Sequence, residues 1–161
     1  MWALMSLAFA SGPPIPGTWT LAETDASLEA KHDQALQDAL AQLPWAFRGL
    51  ARGRLAKPID NCGSVILGLE GDQFRAQCVG KDPLVRTIGS KQEPVTGEDG
   101  KLYQVGLDVT AARVQLSFLG EDGGQRTRYA VDGDDLLLTK EIVSSWFESP
   151  VEWTVRYRKA E

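Results

Sequence analysis

The stretch that decides the fold is KLYQVGLDVTAARVQLSFLGEDGGQRTRYAVDGDDLLLTK, residues 101–140. Apolar side chains recur there at every second position in four successive segments, which short polar turns separate. The set that shares one face is Tyr103, Val105, Leu107, Val114, Leu116, Phe118, Thr127, Tyr129, Val131, Leu136 and Leu138. A period of two with one apolar face is typical of half-buried antiparallel strands. The stretch therefore predicts a meander of three hairpins.

The turn residues predict how these strands pair. Turns at 110–111, 121–124 and 132–135 each keep the apolar set on one face, and a slip of one residue would move it to the other. The predicted cross-strand pairs are Leu107 with Val114, Phe118 with Thr127, and Tyr129 with Leu138. The agreement of all three turns with the alternation is the strongest evidence for this architecture.

The period changes from two to that of a helix after Thr24. Residues at helical spacing are Leu28, Ala35, Leu36, Ala39, Leu40 and Leu43, with Thr24 or Asp25 as the N-cap and Pro44 as the stop. Proline is also favoured at the first position of a helix. A second, shorter helix is therefore expected from Pro44 to about Arg52.

The other segments complete a mainly β domain with an N-terminal helical insert. The expected strands are 17–21, 65–69, 74–78, 84–88 and 151–157, with a polar loop at 90–100 and an aperiodic apolar loop at 142–147. The domain spans residues 17–161, and residues 1–16 are a signal-like segment followed by a proline-rich spacer. At 161 residues the chain is long enough for one core.

Composition narrows the partners and the compartment. The formal net charge of −5 argues against nucleic acid, which needs a basic footprint on the protein. No apolar run is long enough to span a bilayer, so the chain is not integral to a membrane. The N-terminal stretch ends in Ala8-Phe9-Ala10, a small-x-small cleavage pattern that predicts export to the periplasm or the medium. A cytoplasmic location is the alternative.

Two cysteines, Cys62 and Cys78, flank the first hairpin after the helices. They lack the spacing of a zinc or thioredoxin-like site, so a disulfide is the alternative to free thiols, and export favours it. The only histidine, His32, has no ligand partners at metal-binding spacing. No catalytic motif is present, so neither an enzymatic activity nor a metal or cofactor is expected.

Residues 48–57 carry Arg48, Arg52, Arg54 and Lys57 without an acidic residue. Arg48 and Arg52 are one turn apart and share a helix face. Cations are favoured near the C-terminus of a helix, which would explain them as a solvated helix end. The other interpretation is a docking patch for an anionic membrane surface or an acidic partner.

The order of one strand bearing Gly17-Thr18-Trp19, a helical insert and a long meander resembles the calycin superfamily. Gly-x-Trp opens lipocalins and fatty-acid-binding proteins, and the insert directly after that strand resembles the second branch. The closing Arg156-Tyr157-Arg158 is similar to the Arg-x-Tyr ending of that branch, although Val155 replaces its arginine. The resemblance implies an antiparallel up-and-down β-barrel. An antiparallel sheet curled over the long helix is the alternative fold.

The resemblance also implies a cavity for a small apolar molecule. The parity of the strands points a mixed aromatic and polar set toward it, namely Tyr103, Phe118, Thr127, Tyr129, Lys140, Trp153 and Tyr157. Lys140 is interpreted as the only basic residue on the inward face, so it would lie near the head group of an amphiphile.

Two functions follow from these patterns. The first is non-enzymatic binding of a small hydrophobic or amphiphilic ligand in a lipocalin-like barrel. The second is an exported protein–protein interaction module, such as an inhibitor or an envelope assembly protein, with a filled barrel. Its partner surface would be formed by Ile142, Val143, Trp146 and Phe147, because clustered exposed apolar residues mark partner sites.

Overall fold

A computed structural model describes residues 13–55, 61–90, 92–97 and 99–161. The elements are β1 (Gly17–Leu21), α1 (Asp25–Ala41), α2 (Trp45–Leu55), β2 (Ser64–Glu70), β3 (Gln73–Cys78), β4 (Leu84–Thr87), β5 (Glu93–Thr96), β6 (Leu102–Val109), β7 (Arg113–Gly120), β8 (Gly123–Asp132), β9 (Asp135–Ser144) and β10 (Val151–Lys159). Residues 1–12, which include the signal-like stretch and the expected cleavage position before Ser11, lie outside the described residues. The mainly β architecture with a helical insert is confirmed.

All ten strands form one antiparallel sheet in the order β4-β3-β2-β1-β10-β9-β8-β7-β6-β5. The first and last strands are neighbours at its middle, where Trp19 pairs with Lys159. The sheet curls into a half-barrel whose edges are β4 and β5, and among the described residues no ladder joins these two edges. The helices and the turns after β3, β5, β7 and β9 lie at the same end of the sheet, called here the helix end.

Helix α1 begins where the sequence predicts. Thr24 is its N-cap, and the Thr24 hydroxyl accepts a hydrogen bond of 3.3 Å from the Ser27 N–H. The helix docks on β10 through Lys31, whose Nζ lies 2.7 Å from both the Thr154 carbonyl and Glu23 Oε1. Burial disfavours the charged form of Glu23, but hydrogen bonds from Lys31, Ser27 and the Arg156 N–H outweigh it and lower the pKa of Glu23.

The predicted registers are right in one hairpin and wrong in two. Tyr129 pairs with Leu138, as the turn after β8 predicts. Leu107 pairs with Leu116 rather than Val114, and Phe118 pairs with Gln125 rather than Thr127. Both errors are shifts of two residues, because the turns contain only residues 111–112 and 121–122. The facing of every side chain is therefore unchanged.

Two predicted loops contain strand residues. The segment 90–100 was expected to be a loop, but β5 lies within it as a short edge strand. Edge strands tolerate proline, which explains Pro94 in this position. The segment 142–147 was expected to lack regular structure, but Ile142 and Val143 continue β9, which ends at Ser144. Pairing with β8 and β10 makes these residues strand despite their lack of alternation.

The main core packs side chains of β1, β2, β3 and β7 to β10 against Leu28 of α1. Its largest fully buried side chains include Trp19, Phe74, Leu136 and Tyr157. Ile15 is also fully buried, although the sequence places it in the spacer, and its carbonyl accepts a hydrogen bond of 2.9 Å from Trp19 Nε1. A second, smaller cluster packs α1 against the start of β10 through Ala35, Ala39 and Val151.

Candidate functional site

An open groove of about 870 Å³ lies at the helix end, where β6, β7, β8 and β9 meet the last turn of α2. Its apolar wall consists of Leu55, Leu102, Leu119, Ile142, Val143 and Phe147. Its polar lining includes Lys101, Tyr103, Gln104, Asp122 and Ser144. Small-molecule sites have volumes of roughly 300–1,000 Å³ and mostly apolar walls with few polar groups. The groove therefore has the size and lining of a ligand site.

Glycines bring the strands close together at the floor of this groove. A Cβ on Gly123 would collide with the Val143 carbonyl oxygen, and one on Gly124 with the Phe118 carbonyl oxygen. Gly123 also has a φ of +135°, which L side chains rarely adopt. The sequence Gly123-Gly124 thus lets β8 start directly after a two-residue turn.

Tyr103 forms the polar side of the groove. Its hydroxyl donates a hydrogen bond of 2.8 Å to Asp99 Oδ2. This hydrogen bond raises the pKa of Tyr103 and lowers the pKa of Asp99 relative to their ordinary values. The ring lies against Gly97, where a Cβ would be 2.7 Å from Tyr103 Cε2. The absence of a side chain at Gly97 therefore leaves space for the Tyr103 ring.

The inward side chains of β7 to β10 form rows that descend from the groove toward the core. The row below the groove rim contains Phe118, Gln125, Ile142 and Val151, and the next contains Leu116, Thr127, Lys140 and Trp153. Below them lie the rows of Val114, Tyr129, Leu138 and Val155, and of Val131, Leu136 and Tyr157. Six of the seven predicted site residues are distributed over these rows rather than around one cavity, and the seventh, Tyr103, lies on β6 at the groove.

Two of the predicted residues, Tyr129 and Tyr157, belong to the packed core. Tyr129 lies against Phe74 with ring centroids 5.7 Å apart, and the Tyr157 hydroxyl donates a hydrogen bond of 2.9 Å to the Cys62 carbonyl. Burial raises the pKa of each tyrosine to about 12. Their side chains fill the half-barrel at this depth.

The middle row combines polar and aromatic groups. Lys140 pairs with Thr127 across the ladder, and Lys140 Nζ lies 3.4 Å from Asn61 Oδ1. Trp153 packs beside His32, with ring centroids 6.3 Å apart in an edge-on arrangement. Only Tyr103 of the predicted set lines the groove itself. Phe118, Thr127 and Lys140 are half-buried on the same face, between the groove and the core.

Sequence reasoning missed one inward cation. Arg86 on β4 pairs with the buried Phe74 and so faces inward, which corrects the interpretation that Lys140 is the only basic residue on this face. Its Nη1 donates to the Val85 carbonyl at 3.2 Å, while its buried Nε has no acceptor among the described residues. The alternation of the predicted strand puts Arg86 on the same face as Leu84 and Ile88, so the sequence could have identified Arg86 as inward-facing.

Cys62 and Cys78 form a disulfide beside this interior, with Cα atoms 5.4 Å apart. It joins the segment before β2 to the end of β3. Val65 pairs with Cys78 in the ladder and β2 begins at Ser64, so the bend that brings Cys62 back toward Cys78 lies at Gly63. Within the described ranges, no cluster of three or more His, Cys, Asp or Glu residues is placed to hold a metal ion.

Helix α2 and the turn after β9 expose large apolar side chains next to the groove. Trp45, Phe47 and Leu50 of α2 are exposed, as is Trp146. The rings of Phe47 and Trp146 meet edge-on with centroids 5.4 Å apart. A cleft of about 230 Å³ lies between α2 and this turn. Among the described helices, none is long and apolar enough to cross a bilayer.

Neither models of protein families nor curated proteins match this sequence. Similar solved structures include a REP1-NXSQ fatty acid transporter, with 13% identity, a TM-score of 0.54, and coverage of 91% of this chain and 96% of that one. Fatty-acid-binding protein 1 of Echinococcus granulosus has 13% identity, a TM-score of 0.52, and coverage of 91% and 98%. Human cRBP IV has 18% identity, a TM-score of 0.53, and coverage of 91% and 98%. These similarities show that the fold is calycin-like.

Proposed function

We propose that this protein binds a small hydrophobic or amphiphilic molecule in the groove at the helix end, without an enzymatic reaction. The observation that carries the proposal is the layering of the interior. Apolar side chains fill the half-barrel up to the row of Tyr129, and Thr127 and Lys140 lie in the next row beside Leu116 and Trp153. The row of Phe118 and Ile142 follows, and an open groove of about 870 Å³ lies at its rim. The similarity to a fatty acid transporter and to a fatty-acid-binding protein also supports it.

The layering favours one orientation of the ligand. An apolar chain would lie along Leu55, Ile142 and Phe147, where it would replace water on apolar surface. Lys140 lies on the same face of β9 as Ile142, one row nearer the core. An anionic head group would therefore point toward the Lys140 ammonium group. The site would thus hold the polar end inside and the apolar end at the groove.

A fluorescent apolar probe tests the proposal by titration and displacement. The folded protein is expected to bind the probe stoichiometrically and to release it on addition of a long-chain carboxylic acid. Phe147→Ser should weaken the acid and a neutral alcohol of the same chain length alike, because it removes apolar wall. The absence of probe binding to folded protein would refute the proposal.

The role of Lys140 has its own control. Lys140→Met should weaken the acid and leave the neutral alcohol unchanged, since only the acid has a charge to pair with. Lys159→Met is the matched control, because Lys159 lies over the Trp19 ring, away from the groove. Equal losses for acid and alcohol in Lys140→Met would show that Lys140 supports the fold rather than the head group.

A protein–protein interaction role is the second candidate, and the exposure of Trp146 favours it. Of its four predicted partner residues, Ile142, Val143 and Phe147 line the groove instead. If the groove binds no small molecule, Trp146→Ala should abolish the capture of a partner from the native host, whereas Trp45→Ala should not.

Export to the periplasm or the medium is also part of the proposal. The disulfide between Cys62 and Cys78 supports it, because such bonds persist in oxidising compartments. The protein recovered from its own host should begin at or near Ser11. An intact Met1 would contradict export.

A further inference from the structure

Most of helix α2 is exposed, and among its described side chains only those of Ala51 and Leu55 are half-buried. Trp45 is 84% exposed, Leu50 60% and Phe47 45%. An isolated helix of 11 residues is marginal in water, and Gly49 and Gly53 weaken this one further. A helix that exposes three large apolar side chains therefore needs a surface to cover it.

The charge of this segment is of one sign. Residues 44–57 contain Arg48, Arg52, Arg54 and Lys57 and no acidic residue, in a chain whose net charge is −5. Trp45, Arg48 and Arg52 follow at intervals of three and four residues, which places them along one side of the helix. Arg48 Nε also donates a hydrogen bond of 3.0 Å to the Leu43 carbonyl, so its side chain fixes the junction with α1. Arg52 is exposed.

Other exposed apolar groups occur at the same end of the sheet. Trp146 is 56% exposed beside Phe47, and Leu102 and Val79 are exposed at the strand ends. Tryptophan is enriched where a membrane meets water, and short helices with cationic and aromatic residues lie in that interface. An acidic protein would complement the charge of the arginines. It would not explain why exposed apolar side chains occur on α2, on the turn after β9 and at the strand ends of the same end of the sheet.

We propose that the helix end docks on the surface of a bilayer that contains anionic phospholipid. In this arrangement α2 lies in the head-group region, Trp45 and Trp146 enter the interface, and Arg48 and Arg52 contact lipid phosphates. The protein is held by this surface without crossing the membrane. The inference does not depend on ligand binding in the groove, because it concerns exposed side chains of α2 and the turn after β9.

Sedimentation of the full protein with vesicles tests the docking. We expect binding to phosphatidylcholine vesicles that contain phosphatidylserine, little binding to phosphatidylcholine alone, and release at high salt. Arg52→Gln should weaken binding by about fivefold, the loss expected for one cation near an anionic surface. Arg113→Gln is the matched control, because Arg113 is exposed at the opposite end of the sheet. No binding to anionic vesicles, or equal losses in both variants, would overturn the inference.

Quenching of tryptophan fluorescence by brominated lipids locates the contact. The variants Trp45→Phe and Trp146→Phe should each remove part of the quenched signal, whereas Trp19 is buried and should contribute none. Unchanged quenching in both variants would show that another surface touches the lipid. Sedimentation without vesicles should give a monomer. If the protein is instead a dimer that Trp45→Ala dissociates, then a second copy of the chain covers the exposed face of α2.

Discussion

Replacing Trp19 by alanine should be among the most destabilising changes in this protein. The side chain is 2% exposed, it packs in the main core, and its Nε1 donates to the buried Ile15 carbonyl at 2.9 Å. Truncating a buried aromatic costs about 3–5 kcal/mol. Leaving the Ile15 carbonyl without its donor adds about 1–2 kcal/mol, so we expect a loss of about 4–7 kcal/mol in the free energy of unfolding.

Urea unfolding followed by circular dichroism measures this loss. With a slope of roughly 2 kcal/mol per molar urea, the midpoint should fall by about 2 M or more. Trp19→Phe keeps an aromatic ring but loses the hydrogen bond, so its loss should be smaller, about 1–3 kcal/mol. Trp45→Ala is the control, because Trp45 is 84% exposed and its truncation should change stability by less than about 0.5 kcal/mol. Equal midpoints for Trp19→Ala and Trp45→Ala would refute the assignment of Trp19 to the core.

Three further predictions concern the disulfide, Arg86 and the buried tyrosines. Replacing Cys62 and Cys78 by serine should lower the free energy of unfolding by about 3 kcal/mol, because the bridge closes a loop with a sequence separation of 16; unchanged thermal unfolding under reducing and oxidising conditions would contradict this. Arg86→Leu should raise stability by about 1 kcal/mol, because it removes a buried Nε that has no acceptor in the part of the chain that the structure describes. A clear loss would show that the guanidinium group has an essential contact. Tyr129 and Tyr157 have a folded-state pKa of about 12 against about 10 in unfolded chains, so their contribution to stability is complete below pH 10 and is lost as the pH rises to about 12. Absorbance titration of the folded protein should show both phenols ionising above pH 11, and full ionisation near pH 10 would contradict their burial.

The fold was predictable because alternation and turn chemistry agree along most of the chain. The facing of side chains depends only on the parity of the register, so it survived the errors of two residues at Leu107 and Phe118. The length of a turn is harder to predict. Gly123-Gly124 belongs to β8 rather than to the loop because the backbones of β7 and β9 approach it closely, a contact that the local sequence does not encode.

The site was less predictable than the fold. Parity correctly placed Tyr103 and Tyr157 on one face, but it says nothing of depth, and Tyr157 lies in the core while Tyr103 lines the groove. Depth depends on which end the helices occupy and on how far the core fills the half-barrel. Leu55 and Phe147 reach the groove from α2 and from the turn after β9, so no periodicity within a strand could have identified them.

The position of β1 between β2 and β10 sets an order of events in folding. Among the described residues, eight of the nine ladders join strands that follow each other along the chain, whereas the ladder of Trp19 with Lys159 joins two strands that are far apart in sequence. Hairpins form within microseconds, but contacts between distant residues are slow because a long loop must first close. The meander can therefore assemble early, and the docking of β1 against β10 becomes the late step that completes the sheet. Until it occurs, the edge of β10 stays open to pairing with another chain.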